Sequence, residues 1–131
     1  MRYLLLIYSP PWDNSQITPE EQAANMEEWS EFTADLVKRG VMEGGEALEG
    51  IETATTVRVT DGDVLTTDGP FAETAEVLGG YYVLNVKDLD EAIGIATVCP
   101  GAKSGSIELR PIVEFGDDYA QAIQERAGVV G

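Results

Sequence analysis

Histidine is absent from the 131 residues of this chain. Without an imidazole, the chain cannot use a serine or cysteine nucleophile that histidine activates, and it has no histidine to bind a metal. Histidine is also the side chain whose ordinary pKa lies nearest to neutral pH. Acid or base chemistry would therefore have to use carboxylates, tyrosines or lysines.

Cysteine is almost as scarce, because Cys99 is the only one. One cysteine cannot form a disulfide within the chain or a zinc site of several thiolates. The nearby residues Asp61, Asp63 and Asp68 do not have the spacing of a calcium loop. We therefore predict no disulfide framework and no metal site, and we expect Cys99 to be a small buried apolar residue.

Long hydrophobic runs are also lacking. The apolar run over residues 4–8 stops at Pro10 and Pro11, which makes it too short to span a membrane. No small-residue cleavage site follows it, as a secretory signal would require. We therefore expect no membrane segment and no export signal, and we predict a cytoplasmic protein.

Positive charge is the fourth scarcity, since 8 Lys and Arg stand against 24 Asp and Glu, for a formal net charge of −16. The basic residues are scattered between Arg2 and Arg126, so no basic patch is available for nucleic acid or an anionic membrane. Because 44% of the residues are hydrophobic, the chain is not a disordered acidic tail. We predict a single soluble domain over residues 1–131.

Two helices are indicated by their ends and their apolar stripes. Thr18, Pro19 and Glu21 form a typical helix start, and Gly40 ends that helix. Asp88 with Glu91 begins a second helix, which stops before Pro100, and residues 117–126 form a third. The predicted buried stripes are Met26, Trp29, Phe32, Leu36 and Val37 in the first helix, and Leu89, Ala92, Ile93 and Ala96 in the second.

Four strands and a hairpin account for most of the remaining chain. The strands are predicted over residues 2–8, 41–48, 81–86 and 106–112, and the hairpin joins residues 53–60 to 63–67 through an Asp-Gly turn. Without the hairpin the order is strand, helix, strand, strand, helix, strand. This order predicts an α+β fold, a ferredoxin-like βαββαβ arrangement with an inserted hairpin.

Two of the predicted strands, over residues 4–8 and 81–86, are apolar on both faces. Two helices can cover only one face of such a sheet, so the other face needs a cover from elsewhere. In a chain this short, a second copy is the simplest cover. We therefore predict a homodimer that packs sheet against sheet.

Six short stretches occur in an order typical of one protein family. In this chain they read YLLLIY at residues 3–8, GGEAL at 44–48, DGPFAE at 68–73, LGGYY at 78–82, DLDEA at 88–92 and IELRP at 107–111. The chain therefore resembles the DGPF subgroup of the YCII-related proteins from about Arg2 to Pro111.

This resemblance carries expectations about fold and function. It implies a dimeric α+β barrel, and it implies an association with extracytoplasmic-function sigma factors. Members of the wider group have been proposed to be enzymes with a His and Asp pair. The aspartate matches Asp68, whereas the histidine has no counterpart in this chain.

Asp68 is the candidate catalytic residue, because it ends a predicted strand beside a rigid Gly-Pro turn. If it lay buried near Glu46 or Glu73, repulsion between the carboxylates would raise one pKa and supply an acid near neutral pH. The alternative is a structural role, in which Asp68 accepts backbone amide hydrogen bonds around Gly69 and Phe71.

Arg110, Glu46, Glu73 and Tyr82 are the candidate ligand-binding residues. Arg110 could bind a carboxylate or phosphate with both arms of its guanidinium, or it could pair with Glu46 or with a glutamate of the partner chain. Tyr82 could stack on a ligand. Because adjacent strand residues face opposite ways, we expect one residue of Tyr81 and Tyr82 in the core and the other at an interface.

Two functional hypotheses follow. The first is a dimer that binds a small molecule, or a weakly specified enzyme, with a pocket near Asp68. The alternative is a non-enzymatic regulatory module that binds a basic partner such as a sigma factor through its acidic surface. No motif identifies a cofactor.

Overall fold

A four-stranded antiparallel sheet forms the centre of the fold in the computed structural model, which describes residues 1–11 and 14–128. Across this sheet the strand order is β2-β5-β1-β6, and β3 and β4 form a separate two-stranded sheet. The strands are β1 (Arg2–Ser9), β2 (Met42–Ala47), β3 (Thr55–Thr60), β4 (Asp63–Asp68), β5 (Val77–Asn85) and β6 (Ser106–Pro111).

Three helices complete the described part of the chain: α1 (Pro19–Arg39), α2 (Leu89–Val98) and α3 (Asp117–Ala127). The predicted mixed α+β class, the inserted hairpin and the third helix are confirmed. Within one chain, the described strands do not close into a barrel. None of the described helices combines the length and the apolar character needed to cross a bilayer.

The helix ends agree with the sequence prediction. The Thr18 hydroxyl accepts a hydrogen bond of 3.1 Å from the Glu21 amide, and Gly40 adopts a left-handed φ of 72° at the other end of α1. In α2, the Asp88 carboxylate accepts from the Glu91 amide at 2.9 Å. Short polar side chains satisfy amides that the first helical turn leaves unpaired, which explains why both starts are readable from sequence.

Strand β5 begins at Val77, earlier than the predicted start at Tyr81. Val77 and Leu78 pair with β1 beyond an irregularity in the register, so the strand continues through its two glycines. At Gly80, a Cβ atom would stand only 2.9 Å from the backbone oxygen of Glu46 on β2. Glycine is therefore needed here for the two strands to approach.

The core lies between one face of the sheet, here called the inner face, and the helices α1 and α2. Leu5 and Leu84 are fully buried on this face, and Cys99 at the end of α2 is buried as predicted. Burial raises the pKa of the Cys99 thiol, so this cysteine is an inert packing residue.

The predicted helical stripes are only partly correct. Met26 and Val37 of α1 are 64% and 63% exposed, and in α2 Leu89 and Ile93 are about half exposed while Ile95 is buried. A helix that lies on a sheet buries a narrow stripe, and the rotation of the helix about its axis decides which apolar residues belong to it. Apolar spacing alone does not fix that rotation.

Neighbouring residues of α1 provide a test of this packing. Leu36→Ala should lower the free energy of unfolding by about 2–5 kcal/mol, because it leaves a cavity in the core. Val37→Ala should change it by less than about 0.5 kcal/mol, because Val37 is on the surface. Chemical denaturation measures both values, and equal losses would contradict the observed orientation of α1.

Candidate functional site

Asp68 ends β4 at the base of the hairpin, where it is exposed. Within the described residues, its carboxylate has no hydrogen bond or ion pair. The amide of Gly69 donates instead to the Ala54 carbonyl at 2.6 Å, and the Thr56 hydroxyl donates to the Gly69 carbonyl at 2.8 Å. The backbone therefore holds this turn, and the Asp68 carboxylate is left available.

The hairpin has one apolar face, and Asp68 belongs to it. Val57 pairs with Thr66 and Val59 with Val64, and these pairs share a face with the pair of Thr55 and Asp68, because strand side chains alternate. Val57, Val59 and Val64 are each at least 60% exposed. The carboxylate thus adjoins an uncovered valine surface.

Glu46 and Arg110 lie on the face of the main sheet opposite the helices, here called the outer face. In the register, Glu46 stands opposite Tyr81 and Arg110 opposite Leu4. Glu46 belongs to one edge strand and Arg110 to the other. Three strand spacings separate these edges, about 14 Å. An ion pair between the two within one chain is therefore excluded.

Tyr82 points the other way, into the inner face. Its ring makes an edge-to-face contact with Phe32, with 5.5 Å between the centroids, and its hydroxyl is 2.6 Å from the Thr33 hydroxyl. Burial raises the pKa of Tyr82, and the Thr33 hydrogen bond opposes that shift. Tyr82 packs against the core and Tyr81 lies on the outer face. The two tyrosines therefore face opposite ways, as predicted.

One chain does not bring the five predicted site residues together. Tyr82 is on the inner face, Glu46 and Arg110 are on the outer face, and Asp68 is on the hairpin. Glu73 is exposed in the connection between β4 and β5. Among the described residues, no group of three or more Cys, Asp or Glu side chains is arranged to hold a metal ion.

A shallow, open groove that sequence reasoning missed lies on the exposed face of α1, and its lining comes from this helix alone. It has a volume of about 470 Å³, and its lining residues are Met26, Trp29, Ser30, Thr33 and Ala34. The predicted buried stripe includes Met26, but Ser30 and Ala34 continue the same side of the helix with small side chains. This interruption of the apolar pattern by two small residues is the sequence feature that could have indicated the groove.

A polar cluster at one end of the outer face was also missed. The Arg2 guanidinium donates to both carboxylate oxygens of Glu114, at 2.7 and 3.1 Å, and reaches Glu43 at 3.4 Å. Glu43 in turn accepts from the Asn85 side chain at 2.9 Å. The segment after β6 is therefore held against the first residue of β1.

Residues 1–116 match the family model of the YCII-related domain. The chain belongs to the YCII-related family. An uncharacterised protein of Rhizobium meliloti is 33% identical over 117 residues, which cover 88% of this chain and 94% of that relative. The matched YCII-related segment includes every predicted site residue, and α3 lies beyond it.

The Arg2–Glu114 contact of this YCII-related domain predicts a measurable titration. The hydrogen bond from Arg2 holds the pKa of Glu114 below its usual range. Because the pKa is lower in the folded than in the unfolded chain, the contact stabilises the fold above the unfolded-state pKa. That stabilisation is lost as the pH falls through the folded-state pKa.

Arg2→Gln should therefore raise the pKa of Glu114 toward that of an ordinary glutamate, as measured by NMR titration of the side-chain carboxyl. Arg39→Gln is the matched control, since Arg39 pairs with Asp35 and Glu91 on the helical side. A Glu114 titration that Arg2→Gln leaves unchanged would contradict the assignment.

Proposed function

We propose that this protein is a cytoplasmic homodimer of the DGPF subgroup that binds a small molecule beside Asp68. In this proposal, two ferredoxin-like subunits pack through their outer faces into an α+β barrel. The order β6-β1-β5-β2, with helices after the first and third of the four main strands along the chain, supports the ferredoxin-like arrangement. The buried, lone Cys99 suits a reducing compartment.

The observation that carries the proposal is the apolar character of the outer face. Leu4 and Leu6 of β1 and Tyr81 and Val83 of β5 form adjacent cross-strand pairs there, and all four are only half-buried. Soluble monomers rarely leave a contiguous surface of this kind in water. A second copy of the same face would cover it and supply the missing layer of the fold.

The charges at the edges of the outer face fit a two-fold contact. A two-fold axis that runs along the strands between the sheets places β6 of one subunit over β2 of its partner. Arg110, which has no ion pair among the described residues, would then lie one cross-strand row, about 7 Å along the strand, from the partner's Glu46. Its long side chain can span that offset. The same axis repeats the pair on the other side, so one sequence supplies both charges.

The ligand site is proposed at Asp68 because its carboxylate is unpaired and borders the valine face of the hairpin. An isolated two-stranded hairpin is at best marginally stable in water, so this face favours a cover from another subunit. Such a cover would enclose Asp68 in apolar surroundings.

The dimer predicts a specific response to charge on the outer face. Leu6→Glu should weaken dimerisation more than about hundredfold, because it buries an unpaired carboxylate at the centre of the interface. Val98→Glu is the matched control on the helical side, where Val98 is 65% exposed. Sedimentation velocity gives the dissociation constants, and circular dichroism verifies that both variants fold.

Exchange of the edge charges refines this test. Arg110→Glu alone should weaken the dimer, and the double variant with Glu46→Arg should restore it. A monomeric wild type at micromolar concentration, or a Leu6→Glu variant that remains dimeric, would refute the proposed interface.

A second candidate function is the binding of a basic protein such as a sigma factor. The observation that favours it is the acidic surface of α1, on which Glu20, Glu21, Glu27 and Glu31 are exposed and form no ion pair with described residues. Such a surface attracts basic partners and accelerates their association. This function needs no pocket chemistry.

Two sets of variants separate the two candidates. Asp68→Asn should abolish thermal stabilisation by any small metabolite that raises the melting temperature of the wild type, whereas Asp63→Asn at the other end of β4 should retain it. Reversal of Glu27, Glu28 and Glu31 to lysine should weaken binding to a purified sigma factor about tenfold or more. If Asp68→Asn alters only stability, the ligand site is not at Asp68.

A further inference from the structure

The groove along α1 combines an apolar floor with a row of small residues. Trp29 and Thr33 are half-buried at its base, and Met26 stands exposed at one end. Ser30 and Ala34 are one helical turn apart and leave room above the helix. Val37, which is 63% exposed, continues the same side for another turn, so the exposed surface extends about 16 Å along α1.

Carboxylates border this groove on its solvent side. Glu27 precedes Ser30 by three residues and Glu31 precedes Ala34 by three, so each glutamate lies beside a groove residue on the helix surface. Neither glutamate has an ion pair among the described residues. An occupant with apolar side chains on one side and positive charges beside them would satisfy both features.

Two exposed apolar segments of this chain do not match that requirement. Helix α3 exposes Tyr119 and Ile123, but it begins with Asp117 and Asp118. The valine face of the hairpin includes Asp68 and lies next to Asp61 and Asp63 at its turn. Both segments would bring negative charge to an acidic surface. Because the chain as a whole carries a formal net charge of −16, a second copy is disfavoured as the occupant.

We propose that the α1 groove, defined by Met26, Trp29, Ser30, Thr33 and Ala34, binds a basic amphipathic helix of another protein. The apolar side chains of that helix would lie on Trp29 and Met26, in the manner of other helix-in-groove complexes. Its lysines or arginines would reach Glu27 and Glu31. This proposal rests on the second candidate function and identifies where and how the basic partner binds.

The test uses the full chain and a fluorescently labelled peptide of leucine and lysine, about four helical turns long, with its leucines on one side. A peptide of the same composition with its leucines distributed all round, and one with glutamate in place of lysine, serve as controls. Fluorescence anisotropy gives the dissociation constants. The amphipathic basic peptide should bind at least about tenfold more tightly than either control.

Two protein variants locate the binding site. Ala34→Trp fills the groove and Glu27→Lys with Glu31→Lys reverses its border, and each should weaken peptide binding about tenfold or more. Their matched controls on α3, Ala120→Trp and Asp117→Lys with Asp118→Lys, should leave the affinity within about twofold. All these positions are exposed, so the variants should fold.

The outcomes separate the groove from the surface charge. One outcome is that the amphipathic lysine peptide and the lysine control with distributed leucines bind equally, with only the Glu27→Lys and Glu31→Lys variant weakening their binding. In that case the groove proposal is wrong, while the binding of a basic partner stands. If no peptide binds but a purified sigma factor does, the groove proposal is again wrong. If Ala34→Trp dissociates a dimer of the wild type, the occupant is a second copy and the proposal is overturned.

Discussion

The central strands β1 and β5 carry apolar side chains on both faces, and the helices of one chain cover only the inner one. Leu5 and Leu84 are fully buried beneath α1 and α2, whereas the residues immediately before them, Leu4 and Val83, are only half-buried. Because strand side chains alternate, neighbouring residues of the same strand supply opposite faces of the sheet. In β1 and β5 both sets of residues are apolar, so both faces need a cover. The proposals about assembly follow from this unequal cover.

Scarcity of positive charge sets the second constraint. The described basic residues that form ion pairs are Arg2, Arg39 and Lys103, which leaves most of the 24 acidic residues without a cationic partner. On α1 this excess produces an acidic border beside an apolar groove. On the outer face, Arg110 forms no ion pair with a described residue. The proposed partner on α1 and the proposed dimer contact at Arg110 both depend on these unpaired charges.

Local chemistry explains which elements could be predicted. Thr18, Asp88 and Gly40 act on backbone groups within a few residues, and the Asp61 and Gly62 turn adopts positive φ values of 50° and 83°, as a tight hairpin requires. The alternation of Ile107 with Glu108 defines β6 in the same way. Such local interactions do not depend on the rest of the fold, so the elements predicted from them are found in the structure.

The candidate site was less predictable, because it depends on which residues meet after folding. Glu46 and Arg110 are suitable partners as residue types, but the strand order puts them on opposite edges of the sheet. The catalytic hypothesis for Asp68 requires Glu46 or Glu73 beside it. In the structure Glu46 lies on the main sheet, Glu73 in the connection between β4 and β5, and Asp68 on the hairpin. The hydrogen bond between Arg2 and Glu114 joins residues 112 positions apart, and no local sequence pattern predicts such a contact.

The sequence by itself determined the α+β class, the helix caps, the hairpin and the absence of histidine chemistry, since these follow from composition and from interactions between near neighbours. Only the tertiary structure decided which apolar residues of α1 and α2 are buried, which side chains share a face, and where a groove opens. Those properties depend on the rotation of each helix and the order of the strands, and both are set by packing between distant segments.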